Sequence, residues 1–402
     1  MDQPESAPQT RRSRRARTAQ ASVDAPVEVT VVVVGAGQAG LSAAYHLRRA
    51  GMVAVGEPGW DSAAETFVVL DDAPRAGGAW QHRWPGLTMR EAHGVHDLPG
   101  MPLVATDLDE PAAEAVPYYF AQYEEAFELR VQRPVRVTRV TGTEADGRLL
   151  VRSQSVEHPG DAVSWLTRGL INATGTWQKP FWPAYPGRDS FTGRQLHSHD
   201  FRLPEDLADG HVVVIGGGTS AVQLTLLLAR VTTTTWVTRR PPTWIDAEFT
   251  PELGRDAVAQ VDARTRAGLA PQSVVSVTGL PLTPTYRAAI ADGVLLARPV
   301  FDRVTPDGVE WSDPSPPDPG WVAGPAFVEA RTLLWCTGFR PSLDHLAPLG
   351  LRAPGGGIVM DGTQVVADPR IQLVGYGPSA STVGANRAGR EAALNLRTLL
   401  ER

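Results

Sequence analysis

Cysteine is almost missing from this chain: Cys336 is the only one in 402 residues. A lone thiol cannot make an internal disulfide, a CxxC redox pair or a thiolate zinc site, which excludes dithiol reductase chemistry within the chain and a disulfide-stapled scaffold. Lysine is as scarce, with Lys179 alone, so arginine carries the rest of the positive charge. No apolar run approaches the roughly 18 residues of a membrane-spanning helix. Net charge is −6, which argues against nucleic acid as a partner of the whole molecule. The segment from Met1 to Pro26 holds Arg11, Arg12, Arg14, Arg15 and Arg17 against three acids, so it carries +2 and the remainder −8. An export signal needs an apolar stretch beside its arginines, and Thr18 to Asp24 is polar. Residues 1–26 are therefore expected to be a disordered basic tail, with an interaction arm as the alternative, on a cytoplasmic protein without membrane or nucleic-acid partners.

What the chain does have is glycine, 39 residues of it, in two informative clusters. Val27 to Val34 is a β-branched run of the kind that forms a strand buried on both faces. Gly35-Ala36-Gly37-Gln38-Ala39-Gly40 follows at once, then a helical pattern closed by Gly51. A second strand, Phe67 to Leu70, ends at Asp71. The arrangement recurs 181 residues on, where His211 to Ile215 runs into Gly216-Gly217-Gly218-Thr219-Ser220-Ala221, a helix, and a strand, Thr235 to Thr238, that ends at Arg239-Arg240. Both are β-α-β nucleotide units. The fold class expected is α/β with two Rossmann-like dinucleotide-binding domains, the second inserted in the first. Boundaries are set at 27–180 and 326–402 for the first domain and 181–325 for the second, with the late strands Leu333–Cys336 and Ile371–Val374 completing the first.

In the first cluster Gly35 permits the tight turn, Gly37 lets backbone amides approach a diphosphate, and Gly40 lets helix and strand pack closely. The flanking strand and helix are the context such a motif requires. Asp71 is placed to accept both ribose hydroxyls of an adenosine, although it lies 31 residues beyond Gly40 where about 20 are expected. The polar stretch from Val55 to Glu65 reads as an inserted loop, and Asp72 is the competing acid. In the second cluster Gly216, Gly218 and Ala221 play the same parts, with Thr219 and Ser220 opening the helix. Arginines at the strand end suit a 2′-phosphate, the alternative being two solvated side chains. The cofactors expected are FAD at the first site and NADPH at the second.

These residues and four further motifs carry a resemblance. Gly77-Gly78-Ala79-Trp80 matches GGxW, and Phe191 to Phe201 (FTGRQLHSHDF) matches FxGxxxHxxx(F/Y/W). Ala173-Thr174-Gly175 and Cys336-Thr337-Gly338-Phe339 match the two ATG-type crossings between domains. From Val29 to Leu399 the chain resembles the class B flavoprotein monooxygenases. The resemblance implies that NADPH reduces FAD, that a C4a-peroxyflavin forms with O2, and that one oxygen atom passes to a small organic substrate at an N, S or ketone centre. It implies cofactor contacts from Gly78, Ala79, Trp80, Thr174, Gly175, Thr337, Gly338, Gly375 and Thr382, with Trp84 beside Trp80 near the flavin and Ser381–Thr382 opening a helix toward its pyrimidine end. It puts His197 in the linker that couples NADPH to the flavin.

Departures leave the catalytic residues unassigned. No asparagine lies between Gly78 and Met101, where microsomal-type members steady the oxygen adduct, and Arg202 follows Phe201 where Baeyer–Villiger members carry tryptophan. His197, Arg90 and His96 are the candidates, with His93 beside them. His197 and His199 form HxH without a third ligand nearby in sequence, so no metal is expected. An NADPH-dependent flavin reductase without oxygen insertion and a nucleotide-sensing regulatory flavoprotein are the alternative readings.

Overall fold

The computed structural model describes residues 25–401 except 93–94, 105–106, 145, 247–250, 272–278, 317 and 381. The expected tail falls almost wholly outside them, as do His93 and Ser381.

Two parallel-stranded sheets bear out the α/β reading. In the first, β1 (Val27–Val34) runs into α1 (Gln38–Arg49), then a two-residue β2 (Val53–Ala54) and β3 (Thr66–Leu70). β1 pairs in parallel with β3, Val31 against Phe67, and on its other side with β6 (Ala162–Asn172), Val34 against Asn172. The β-branched run of β1 fits because six of its eight residues are buried, between two helix-covered or strand-covered faces. α2 (Ala112–Ala126), β4 (Val135–Gly142) and β5 (Leu149–Ser155) fill the interval before β6. The strand Ile371–Leu373 pairs with β6, and the helix Thr382–Leu400 packs beside α1. The stretch from Val55 to Glu65 contains only a short 3₁₀ turn, Trp60–Ser62.

In the second sheet β7 (Arg194–His197), β8 (Val212–Ile215) and β9 (Thr234–Thr238) are joined by α3 (Thr219–Leu228), which follows β8. Strands Ala297–Pro299 and Thr332–Trp335 complete it, in the order Ala297–Pro299, β9, β8, Thr332–Trp335, β7. One expectation is corrected here. The late strand Leu333–Cys336 does not complete the first sheet: Thr332 sits opposite Val212 and Arg194, inside the second. β8 is hydrophobic on both faces and needs a partner on each edge; β9 supplies one and Thr332–Trp335 the other. The second sheet therefore runs on past residue 326, and the chain leaves it at Cys336. A small antiparallel sheet formed by Arg303–Thr305, Gly308–Glu310 and Phe327–Glu329 belongs to the same stretch. Among the described residues no helix is long and apolar enough to cross a membrane.

Candidate cofactor site

A cavity of about 770 Å³ opens at the carboxyl ends of β1, β3 and β6, the position that open α/β sheets reserve for ligands. Gly35, Gly37, Gln38 and Ala39 line it from the first glycine turn, Asp71 and Asp72 from the end of β3, and Gly78, Ala79 and Trp80 from the next turn. Thr174 and Gly175 enter after β6, and Gly375 after Ile371–Leu373. Gly40 lies behind the turn, with no room between it and Gly35. Thr337 and Gly338 lie outside the lining, although Phe339 belongs to it. Thr382 begins the last helix, and its side chain is outside the described residues.

The turn is built to meet an anion. α1 starts on Gly37 with no side-chain cap and no acid in its first turn. Leu41 is the first residue to donate within the helix, to the Gly37 carbonyl at 2.9 Å, so the amides of Gln38, Ala39 and Gly40 have no intrahelical acceptor. Of these, Gln38 and Ala39 lie on the cavity lining, toward which the positive end of the helix dipole points. Gly78 closes over the same turn: a Cβ there would lie 2.8 Å from the Gly37 Cα, so any side chain would separate the two backbone segments.

Asp71 is buried, at 6% exposure. Its Oδ1 accepts the Ala36 N–H at 3.3 Å, and its Oδ2 accepts from Arg133 Nε at 3.0 Å. Burial pushes its carboxyl up, opposed by Arg133. Asp72, more exposed, pairs with Arg136 at 3.1 Å.

Beneath the cavity runs a chain of hydrogen bonds that reaches across the sequence. His345 Nε2 donates to Asn172 Oδ1 at 2.7 Å, Asn172 Nδ2 to Thr174 Oγ1 at 3.1 Å, and Thr174 Oγ1 to the Ser342 carbonyl at 2.7 Å. The direction is fixed by the last link, because only the hydroxyl can donate to a carbonyl. The network pins the Thr174–Gly175 turn to the returning segment. Burial pushes the His345 imidazole down to about 4. His197 is fully buried and is likewise pushed down to about 4, chiefly by burial. Both stay neutral in the folded protein. Between the ordinary value of 6.5 and about 4 the unfolded chain binds protons that the folded chain refuses, so the stability these groups contribute is full above that window and is lost as pH falls through it. Each accounts for about 3 kcal/mol across the full window. A His345→Gln variant, which keeps a donor for Asn172, is expected to lose less stability than the parent between about pH 7 and about pH 4. Urea midpoints at the two pH values check this, and parallel losses in the two proteins would refute it.

At the other end of the cavity the walls are aromatic and cationic. Arg83 Cζ lies 4.9 Å from the Trp177 ring centroid and 5.5 Å from that of Trp80. Among the described residues its Nε has no hydrogen-bond partner and no ion pair joins it to an acid, and burial lowers its affinity for a proton. Trp177 stacks on Phe339 at 5.1 Å and on His82 at 5.9 Å. His197 lies behind this wall, 5.2 Å from Phe339 and 5.6 Å from Trp182. Its Nδ1 accepts the His199 N–H at 3.0 Å, so Nε2 carries the proton.

The remaining candidates are not brought to the cavity. Arg90 is exposed and pairs with Asp109 at 3.1 Å. His96 is exposed, and its carbonyl accepts from Gln38 Nε2 at 2.9 Å. Trp84 is core: it is buried edge-on to Phe201 at 6.3 Å. Sequence reading passed over Arg83, His345 and Arg133. The tryptophans that flank Arg83 were the available signal for the first; the others carry none.

The second glycine turn repeats the first on the other sheet. α3 starts on Gly218 with no side-chain cap and no acid in its first turn. A Cβ on Gly218 would meet nothing within 4 Å, so Thr219 and Ser220 open the helix beside free backbone. Ala221 is buried against the sheet. Arg239 and Arg240, at the end of β9, are exposed, and no ion pair joins either to an acid among the described residues.

Residues 29–376 match the family model described as pyridine nucleotide-disulphide oxidoreductase. This chain belongs to that family. Within it the likeness is to flavin monooxygenases. A flavin-containing monooxygenase from Stenotrophomonas maltophilia is 32% identical with a TM-score of 0.73, over 93% of this chain and 99% of that one. A flavin-containing monooxygenase of Arabidopsis thaliana, FMO GS-OX-like 9, is 29% identical over 50% of this chain and 48% of its own length. The uncharacterized oxidoreductase CzcO of Bacillus velezensis is 27% identical over 50% of this chain and 51% of its own. The chain thus spans about half the length of the curated relatives it matches. Members of this oxidoreductase family use FAD and NAD(P)H, and the cavity fits FAD. Its uncapped helix start can offer amides to a diphosphate, the buried acid Asp71 ends β3 on the same lining, and among the described residues the buried Gln38 Oε1 on the lining has no partner.

Proposed function

We propose that the chain is an NADPH-dependent FAD monooxygenase that transfers one oxygen atom from O2 to a small organic substrate at a nitrogen, sulfur or ketone centre. The observation that carries the reading is the pairing of two uncapped glycine–helix turns, one leading to a strand that ends at a buried acid and the other to a strand that ends at two exposed arginines. FAD, when bound, supplies the redox chemistry, accepting hydride from the nicotinamide and reacting with O2. The amides of Gln38 and Ala39 would hold its diphosphate and Asp71 its ribose. Arg239 and Arg240 select a 2′-phosphate on the hydride donor. Trp80, Trp177 and Phe339 exclude water from the reacting end, and Arg83 keeps a positive charge there. The family's disulfide chemistry does not suit this chain: Cys336 is its lone thiol, and burial pushes it up, away from thiolate.

The protein as isolated should release about one FAD per chain on denaturation, and oxidise NADPH faster when a sulfide, tertiary amine or ketone is added. A protein without FAD, or one whose NADPH turnover no such compound stimulates, would overturn the reading. Steady NADPH turnover of an added dye without oxygen transfer would instead favour the flavin reductase.

A further inference from the structure

We propose that Arg133 is a positioning residue for the adenosine end of FAD, holding the Asp71 carboxylate in place from behind while Glu124 clamps Arg133. The proposal rests on the FAD reading of the cavity and deepens it.

Three observations converge. First, Arg133 is shared between two acids. Its Nε donates to Asp71 Oδ2 at 3.0 Å, and its Nη1 and Nη2 donate to Glu124 at 2.6 and 2.8 Å in a bidentate fork. Side-chain exposures are 12% for Arg133, 7% for Asp71 and 14% for Glu124, so the triad is largely dry. Second, only one of the three reaches the ligand. Asp71 lines the cavity, whereas Arg133 and Glu124 do not. Third, the backbone brings Arg133 there deliberately. The segment after α2 pairs with the end of β3: Gln132 N–H donates to the Val69 carbonyl at 2.8 Å, Asp71 N–H to the Gln132 carbonyl at 3.0 Å, and Val135 N–H to the Asp71 carbonyl at 2.8 Å.

The chemistry follows. A carboxylate that must receive two ribose hydroxyls has to be ionised and fixed in rotation. Burial works against ionisation. The groups facing Asp71 are Arg133 from the segment after α2, Glu124 from α2, Asp72 beside it, and the Ala36 amide; Arg136 on the same lining pairs with Asp72. Among the described residues Arg133 is the one cation in contact with Asp71, and without it two buried carboxylates would face one another. The Ala36 amide and Arg133 take one direction on each oxygen and leave the others toward the cavity. Arg133 touches no part of the reacting system, so its effect passes entirely through Asp71.

The test is the dissociation constant for FAD of the deflavinated full chain, measured against pH. The set is the parent, Arg133→Met, Arg133→Lys, Glu124→Gln, Asp71→Asn and the double variant Asp71→Asn/Arg133→Met. Arg133→Met should weaken FAD roughly 10- to 100-fold, and Arg133→Lys should recover part of that loss. In Arg133→Met the weakening on acidification should begin at higher pH than in the parent, because its Asp71 protonates sooner. The double variant should bind FAD no worse than Asp71→Asn alone. Equal affinity in Arg133→Met and the parent would overturn the proposal. So would an unshifted pH profile, or losses that simply add in the double variant. If Arg133→Met does not fold, Glu124→Gln, which removes the competing carboxylate and leaves the Arg133 charge to Asp71, must move the profile the other way, to lower pH, and an unshifted profile there would be decisive against it. A parent that binds no FAD would overturn the cofactor reading itself.

Discussion

A Gly40→Ala variant is expected to retain no FAD and to melt far below the parent. The added Cβ would stand 1.9 Å from the Gly35 carbonyl oxygen, 2.9 Å from its carbon and 3.3 Å from the Ala173 Cβ. The first two are backbone atoms and cannot rotate away. Nor can Gly35 withdraw, since its amide is bonded to the Leu70 carbonyl at 2.7 Å. Relief requires α1 to lift off β1, which dismantles the core of the first sheet; the cost is about 3 kcal/mol or more. Gly37→Ala is the informative companion. Its Cβ would meet only the Gly78 Cα, at 3.9 Å, an ordinary contact, so the fold should hold. Yet it puts a methyl group where a diphosphate must approach the backbone. Thermal melting and flavin fluorescence separate the two: Gly40→Ala loses both stability and FAD, and Gly37→Ala loses FAD alone. A Gly40→Ala protein that melts like the parent would show that helix and strand are not in the contact described.

Replacing Arg239 and Arg240 together by alanine should raise the KM for NADPH roughly 30- to 100-fold and leave that for NADH nearly unchanged. A charge-assisted hydrogen bond to a phosphate is worth about 2–3 kcal/mol. Both arginines are exposed and free of ion pairs among the described residues, so their removal breaks nothing in the protein and the melting temperature should stay put. Steady-state kinetics with the two nucleotides decides the matter. Equal losses with both would mean that the arginines do not read the 2′-phosphate, and no loss with either would mean that they are only solvated.

How far the sequence could be read depends on how local each feature is. β1, the glycine turn and α1 lie within 23 consecutive residues, and each dictates its own geometry: a β-branched run, then glycines where backbones cross, then an apolar helix face. Asp71 was legible despite its unusual spacing because a strand end, not a residue count, places it. The partners of these groups were not. Arg133 reaches Asp71 across 62 positions and His345 reaches Asn172 across 173, and nothing periodic marks either. Thr332–Trp335 was legible as a strand but not by sheet, because four apolar residues fit either one. Arg90 and His96 are polar residues in the right segment, yet the backbone there turns both outward. Trp84 has the spacing of a cofactor contact and the burial of a core residue.

The most direct test of the account follows the oxygen. The enzyme is reduced with NADPH and exposed to isotopically heavy O2 with a panel of sulfides, tertiary amines and ketones, and products and hydrogen peroxide are then measured by mass and by assay. The account predicts heavy oxygen in the product of at least one class, one atom for each NADPH consumed, with peroxide well below the NADPH spent. All of the NADPH recovered as hydrogen peroxide, with no labelled product from any class, would contradict it.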